Sequence, residues 1–196
     1  MRPTATIEAC RQGHRRLLAG VARRSDDDLR APTLLPRFSR AHVVAHVTAK
    51  SLAHVRLLEG AAAGEVRRVH PDGYDPDAVA ARGVGRTASG LHADLARALA
   101  ALEAAWDILD DDHWSRHGVM AAGPRTMAEI VGHHLRNVEV HHVDLDIGYL
   151  PSDWPAELVD AELPRRLRSL PGRAPDADLL AWLLGRAPAP ELTGPW

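Results

Sequence analysis

Residues 39–61, SRAHVVAHVTAKSLAHVRLLEGA, are the part of the sequence that decides the fold. Apolar side chains recur through this stretch at three- and four-residue intervals, which is typical of the buried face of a helix. Ser39 follows a turn-prone segment and is a favourable N-cap, and the glycines at 60 and 64 mark where the helix should end. We therefore predict an amphipathic helix, and its apolar face also carries His46.

The composition of the whole chain favours the same class of structure. Of the 196 residues, 45% are hydrophobic, which is enough to build one core, and only 4% are aromatic. Alanine, leucine and arginine dominate the sequence, and that balance favours helices over strands. The fold class is therefore predicted to be all-α.

Periodicity and capping signals predict the other helices. Thr126 and Glu129 form a capping box ahead of one of them. The predicted helices are 4–24, 39 to about 62, 76–107 with a later start near 86 as the alternative, 126–145, 156–170 and 177–184. The connections 25–36, 65–76 and 109–125 are expected to lack helix, and 109–125 is expected to be irregular. Four long helices favour a four-helix bundle over residues 1–150, followed by a short proline-rich C-terminal appendage over residues 151–196.

Charge and cysteine content exclude several function classes. The formal net charge is −2 with both signs interspersed, which argues against a nucleic-acid partner or an anionic membrane surface. No apolar run has the length of a signal peptide or of a membrane span. Cys10 is the single cysteine, so an internal disulfide is excluded. These features predict a cytoplasmic protein.

Histidines on the helix at 126–145 are the first candidates for a functional site. His134, Asn137 and His141 fall on one stripe of this helix, whereas Glu139 points almost the opposite way. Asn137 and His141 are four residues apart and could contact one ligand. A further group must then come from another helix, and His46 is the natural donor.

Two segments resemble a known family. Residues 39–61 look like the second helix of the mycothiol-dependent maleylpyruvate isomerase-like proteins, which are DinB-like four-helix bundles, and His46 matches the histidine of that family's V-x-x-H-x pattern. Residues 135–149, LRNVEVHHVDLDIGY, are similar to its fourth-helix signature R-E-V-x-V-H-x-V-D-L, in which His141 matches the histidine. Relative to the family, whose members often carry a larger C-terminal domain, the segment 151–196 is expected to be truncated.

The resemblance implies a divalent metal, most readily zinc, held by His46, His141 and the residue at position 137. The family has glutamate at that position, and this chain has Asn137. A neutral amide is a weak ligand for zinc, so the exchange is expected to weaken or abolish metal binding. The alternatives are a contribution from His133 or His134, a water molecule, or no metal.

The resemblance also implies a reaction. A low-molecular-weight thiol, mycothiol or another, would add to a small electrophile, and the adduct would either isomerise or be released as a thiol conjugate. Arg82 and Arg86 are candidates for binding a substrate carboxylate, since guanidinium forms bidentate pairs with it, although ordinary solvated surface arginines explain these positions more readily. His134 is a further candidate for substrate contact.

Two functions therefore compete at this stage. One is an enzyme, a thiol-dependent isomerase or thiol transferase whose partners are a small-molecule thiol and an electrophile. The other is a non-catalytic small-molecule binding or self-resistance protein that keeps the site of the bundle. Replacement of the acidic ligand by Asn137 favours the second more than an intact site would. Bundles of this kind often pair through helix faces, which is compatible with a homodimer.

Overall fold

Most of the chain is helical in the computed structural model, which describes residues 1–70, 73 and 75–193. The helices are α1 Thr4–Ala22, α2 Asp26–Arg30, α3 Arg40–Ala62, α4 Pro76–Val84, α5 Ala88–Asp107, α6 Met127–Asp144, α7 Ala156–Ser169 and α8 Asp176–Leu183. Two short strands, β1 His117–Met120 and β2 Gly123–Thr126, lie between α5 and α6. The predicted fold class is confirmed.

Four long helices build the bundle. Helix α3 packs against α5 and α6, and α1 packs against the same two helices on the other side. Their apolar faces meet in one core, whose members include Leu17, Val21, Val43, Val44, Val47, Leu91, Leu95, Leu99 and Val138. Helix α4 lies on α3, where Gly83 allows close approach because a Cβ atom there would clash with Ala45.

Capping fixes the starts of the two helices that carry the candidate site. The Thr126 side chain accepts the backbone N–H of Glu129, and the Glu129 carboxylate accepts the backbone N–H of Thr126. This is the predicted capping box. At the start of α3, the His42 Nδ1 atom accepts the backbone N–H of Ser39. His42 therefore has a structural role at the N-terminus of its helix.

Two predicted connections and one predicted helix differ from the structure. Residues 25–36 contain α2, because Ser25 and Asp28 cap each other across its first turn. The long helix predicted from residue 76 is two helices, since Thr87 starts α5 by accepting the backbone N–H of Gly90. The Asp75 side chain accepts the Ala78 backbone N–H at the start of α4. Residues 71, 72 and 74 of the predicted connection 65–76 lie outside the described residues.

The connection at 109–125 contains two paired strands, so the prediction that it is irregular is wrong. Strands β1 and β2 form an antiparallel hairpin in which His117 pairs with Thr126 and Met120 with Gly123. The turn places Gly123 at a φ of +103°, which glycine adopts without strain. Four-residue strands are too short to show an alternating pattern, so periodicity missed them.

The chain divides into two compact units, Met1–Trp154 and Pro155–Trp196. The first contains the bundle and the hairpin. The second contains α7 and α8, whose bounds agree within one residue with the two short helices predicted for the tail. Among the described residues, no helix is both long and apolar enough to cross a membrane.

Candidate functional site

Helices α3 and α6 bring two histidines together. The ring centroids of His46 and His141 are 4.8 Å apart, and the rings are nearly perpendicular. Both side chains are half-buried, so solvent and small molecules can reach them. We refer to His46 and His141 as the histidine pair.

Asp144 orients one member of the pair. Its Oδ2 atom is 2.8 Å from the Nδ1 atom of His141, one helical turn earlier on α6. A carboxylate at this position accepts the Nδ1–H and so favours the tautomer in which Nε2 has a free lone pair. His141 is therefore held as a base or ligand through its Nε2 atom.

His46 is kept neutral. Its pKa is lowered from 6.5 to about 4, mainly by burial and then by the charges of His141 and Lys50. A side-chain hydrogen bond with Asn137 has the opposite, smaller effect on this pKa. At neutral pH the His46 imidazole is therefore uncharged.

Asn137 lies beside the pair, as its place one turn before His141 predicts. The hydrogen bond between His46 and Asn137 raises the His46 pKa, so it favours the protonated imidazole. The imidazole N–H therefore donates, and the Asn137 carbonyl oxygen accepts. The Asn137 Nδ2 atom is buried and has no hydrogen-bond partner among the described residues. The amide consequently offers an unused donor at the histidine pair.

Lys50 is a residue of this site that the sequence analysis did not single out. It follows His46 by one turn on the same face of α3, and its Nζ atom is 3.1 Å from the Nε2 atom of His70. Its position four residues after His46, together with its being the one lysine of the chain, was the available signal.

The donor set does not fit a firmly held divalent cation. The groups at the pair are two imidazoles and one amide, and the nearby carboxylate of Asp144 is bonded to His141. Over the described ranges of the chain, no three His, Cys, Asp or Glu side chains are arranged to hold a metal ion. Zinc sites in proteins usually have at least three such ligands.

His134 does not lie at the histidine pair. It is fully buried in the bundle, where its Nε2 atom is 2.8 Å from the Nε2 atom of His14. The His14 Nδ1 atom is in turn 2.6 Å from Glu103, and the His54 ring is 5.4 Å from that of His134. We call His14, His54, Glu103 and His134 the inner cluster. With no exposed ring atom, His134 is not positioned to contact a substrate.

The two arginines predicted to bind a carboxylate are also elsewhere. Arg86 forms an ion pair with Asp94 at 2.6 Å. Arg82 is exposed on α4, and its Nε atom donates to the Ala78 carbonyl oxygen at 3.4 Å. The structure therefore brings together His46, Asn137 and His141 but not Arg82, Arg86 or His134.

Glu139 lies on the other side of α6, as helical geometry predicts. Its buried carboxylate accepts hydrogen bonds from Arg16, at 2.9 Å, and from the Tyr149 hydroxyl. A Cβ atom at Gly13 would collide with this carboxylate, so α1 approaches it closely. Glu139 thus joins α1, α6 and the segment after α6, away from the histidine pair.

The fold defines a class of protein, namely a helical bundle, and two facing helices of this bundle carry the histidine pair. Residues 10–146 match the model of the mycothiol maleylpyruvate isomerase N-terminal domain family. The match covers more than half of the chain, and the protein belongs to this family. A search of curated protein sequences found no match.

Solved structures share the fold at low sequence identity. A crystal structure of the mycothiol-dependent maleylpyruvate isomerase matches with a TM-score of 0.77 and 22% identity, over 82% of this chain and 67% of that one. A histidine-to-alanine mutant of that enzyme matches with a TM-score of 0.82 and 19% identity, over 100% and 82% of the two chains.

A third structure has a more distant fold. YfiT from Bacillus subtilis, described as a probable metal-dependent hydrolase with an unusual four-helix bundle topology, matches with a TM-score of 0.61 and 18% identity, over 85% and 87% of the two chains. All these structures are less than 25% identical to this chain, so they support the fold and not a particular substrate.

Proposed function

We propose that the protein is a thiol-dependent isomerase or thiol transferase, which adds a low-molecular-weight thiol to a small electrophile bearing a carboxylate. The observation that carries the proposal is the arrangement of His46, His141 and Asp144 in a bundle of this family. Mycothiol is the thiol that the family suggests. The electrophile is an α,β-unsaturated carboxylate of the maleylpyruvate type.

The protein's own thiol is not the nucleophile. Cys10 is fully buried in α1, and its Sγ atom is 3.7 Å from the Val131 carbonyl oxygen. Burial raises the pKa of this thiol well above its usual value, which disfavours the reactive thiolate. The thiol of the proposed reaction must therefore come from a bound small molecule.

His141 is the group that takes the thiol proton in this proposal. Its Nε2 atom accepts the proton, and Asp144 stabilises the imidazolium that results. The thiolate adds to one carbon of the double bond, and the electron pair moves toward the conjugated carbonyl group. Rotation about the new single bond and expulsion of the thiolate give the isomer, whereas protonation of the adduct gives the transfer product.

No step of the proposed mechanism passes through a metal, because the donor set does not fit one. This is a consequence of Asn137, which supplies no negative charge where the resembling family has glutamate. A proton acceptor oriented by a carboxylate can generate the thiolate without a Lewis acid. Any divalent metal at the pair is proposed to be weakly bound.

Asn137 also favours a second candidate function. Its amide keeps a buried, unpartnered donor, which suits retention of a small molecule as well as it suits catalysis. In this second proposal the protein binds its ligand without transforming it. Turnover in the presence of a thiol discriminates between the two.

The test measures the conversion of maleylpyruvate in the presence of mycothiol, by ultraviolet absorbance and by thiol consumption. We expect turnover by the wild-type protein and a loss of about 10²- to 10⁴-fold in His141→Gln and in Asp144→Asn, the range for general base catalysis. The matched controls, His117→Gln and Asp112→Asn, replace exposed residues and should keep wild-type rates.

Two outcomes would contradict the enzyme proposal. Tight retention of mycothiol or maleylpyruvate without turnover would establish the binding function instead. Equal rates in His141→Gln and in the wild-type protein would show that this imidazole does not take the proton.

A further inference from the structure

Lys50 is a half-buried cation without an anion. Apart from the contact with His70, no hydrogen bond or ion pair is formed by its ammonium group within the described structure, and no described carboxylate is within 4.0 Å. Lysine is rarely buried without a partner, because removing an ammonium group from water costs free energy. Among the described residues, the surroundings of Lys50 therefore lack a carboxylate.

The charge of Lys50 acts on three neighbouring histidines. The pKa values of His46, His54 and His70 are all lowered, mainly by burial. The charge of Lys50 is a further cause in each case. Burial also lowers the pKa of Lys50 itself, the direction expected when no counter-ion compensates for lost hydration. A bound anion at this position would compensate the charge of Lys50.

A neutral donor lies at the same site. The Asn137 Nδ2 atom is buried without a partner at the histidine pair, next to the face of α3 that carries Lys50. One ammonium group and one amide N–H match the single charge and two oxygens of a carboxylate. A phosphate dianion would need more positive charge than these two groups supply.

Two arginines that could compete for an anion are engaged with other groups. Arg40 donates to the carbonyl oxygens of Leu145, Asp28 and Asp146. Arg86 is paired with Asp94, which makes it a poor competitor for an incoming anion. Within the described part of the chain, Lys50 is a cation beside His46 that has no carboxylate partner.

We infer that Lys50 and the Asn137 amide bind one carboxylate group of a small-molecule ligand at the histidine pair. This inference rests on the proposed function, and it assigns the residues that select an acidic electrophile. Binding of the carboxylate at this position places the ligand within reach of His141. Lys50 and Asn137 thereby take the role that the sequence suggested for Arg82 and Arg86.

The experiment measures binding without any thiol, so that it does not depend on turnover. Maleate is titrated into the full chain by calorimetry at pH 7 and fixed low ionic strength, and the uncharged analogue maleamide is titrated in parallel. We expect maleate to bind and maleamide to bind at least about tenfold more weakly, because a charge-assisted hydrogen bond is lost.

Three variants locate the anion. Lys50→Met should weaken maleate binding by about tenfold or more, whereas Lys50→Arg, which keeps the charge, should stay within about threefold of wild type. Arg82→Met is the matched control, an exposed cation on α4, and should change the affinity by less than about twofold. Maleate should raise the thermal midpoint of the wild-type protein but not that of Lys50→Met.

Stability gives a separate check on folding. Lys50→Met removes an uncompensated half-buried charge, so its thermal midpoint without ligand should equal or exceed that of the wild-type protein. A variant that did not fold would contradict the description of Lys50 as an unpaired cation, and Lys50→Gln would then repeat the titration.

Wild-type affinity in Lys50→Met, equal binding of maleate and maleamide, or loss of binding in Arg82→Met would each overturn the inference. Lysine-dependent maleate binding without turnover in the presence of mycothiol would keep the anion site and reject only the enzyme proposal. Turnover by the wild-type protein together with unchanged maleate affinity in Lys50→Met would keep the enzyme proposal and reject the anion site.

Discussion

The histidine pair and two members of the inner cluster, His54 and His134, lie on the same two helices. His46 and His54 are eight residues apart on α3, and His141 and His134 are seven residues apart on α6, so the two regions are separated by about two helical turns. One region is half-open to solvent, whereas the three histidines of the other are almost completely buried. Histidines that look equivalent in the sequence therefore have different environments.

The inner cluster is completed by the other two helices of the bundle. Glu103 of α5 accepts the Nδ1–H of His14, which leaves the His14 Nε2 atom as an acceptor for His134. Trp106 lies against this chain, with its ring 5.8 Å from that of His14. Burial, together with the charges of His14 and His54, holds the pKa of His134 well below its usual value.

The histidine pair has no such cover, and its neighbours are chemically different. Asp144 orients His141, and the unpaired ammonium group of Lys50 lies one turn from His46. The comparison teaches that coverage by α1 and α5 decides which histidines stabilise the bundle. Those left half-exposed are the ones available for a ligand.

The largest expected effect comes from breaking the inner cluster. His14→Leu leaves the buried Nε2–H of His134 without a partner, and we expect a loss of about 3 kcal/mol in the free energy of unfolding. The control is His92→Leu, a half-exposed position on α5, which should cost less than about 0.5 kcal/mol. Urea unfolding at pH 7 measures both. Equal free energies of unfolding for His14→Leu and the wild-type protein would show that the inner cluster does not stabilise the fold.

Acid should destabilise the protein through the inner cluster. Burial lowers the pKa of His54 from 6.5 to about 3, so below pH 6.5 the unfolded chain binds a proton that the folded chain does not. Stability should therefore fall as the pH falls, by about 2 kcal/mol between pH 7 and pH 5 for such a histidine.

His54→Phe tests this pH dependence. Its loss of stability between pH 7 and pH 5, measured by urea unfolding, should be smaller than that of the wild-type protein by about 2 kcal/mol. His117→Gln, at an exposed position on β1, should behave as the wild-type protein does. An unchanged pH dependence in His54→Phe would mean that His54 is not kept neutral by burial.

The smallest expected effect is on zinc affinity at the histidine pair. A metal site there would be a further difference between the histidine pair and the inner cluster. The wild-type protein should hold less than one equivalent of zinc, and Asn137→Glu should bind zinc at least about tenfold more tightly, because it adds a charged ligand one turn before His141. Elemental analysis and titration measure both, with Ala121→Glu as the control for charge. A full equivalent of zinc in the wild-type protein, lost in His46→Ala, would show that an amide suffices.

Local signals predicted most of the fold. The capping box of Thr126 and Glu129, and the N-cap at Ser39, placed the starts of α6 and α3 correctly because caps act within a single turn. The hairpin at 117–126 was missed, since its pairing depends on residues that are not periodic. The break at Thr87 was only one of two alternatives, because glycine lowers helix stability without excluding a helix.

Sequence patterns were enough to predict the long helices α1, α3 and α6, the helix faces on which the histidines lie, and the family. The packing of the helices settles which histidines are covered, that Lys50 has no carboxylate partner among the described residues, and that Arg86 is paired with Asp94. The physical reason is range. Helix faces and caps depend on neighbours within a few residues, whereas burial and ion pairing depend on which distant helix arrives at the same place.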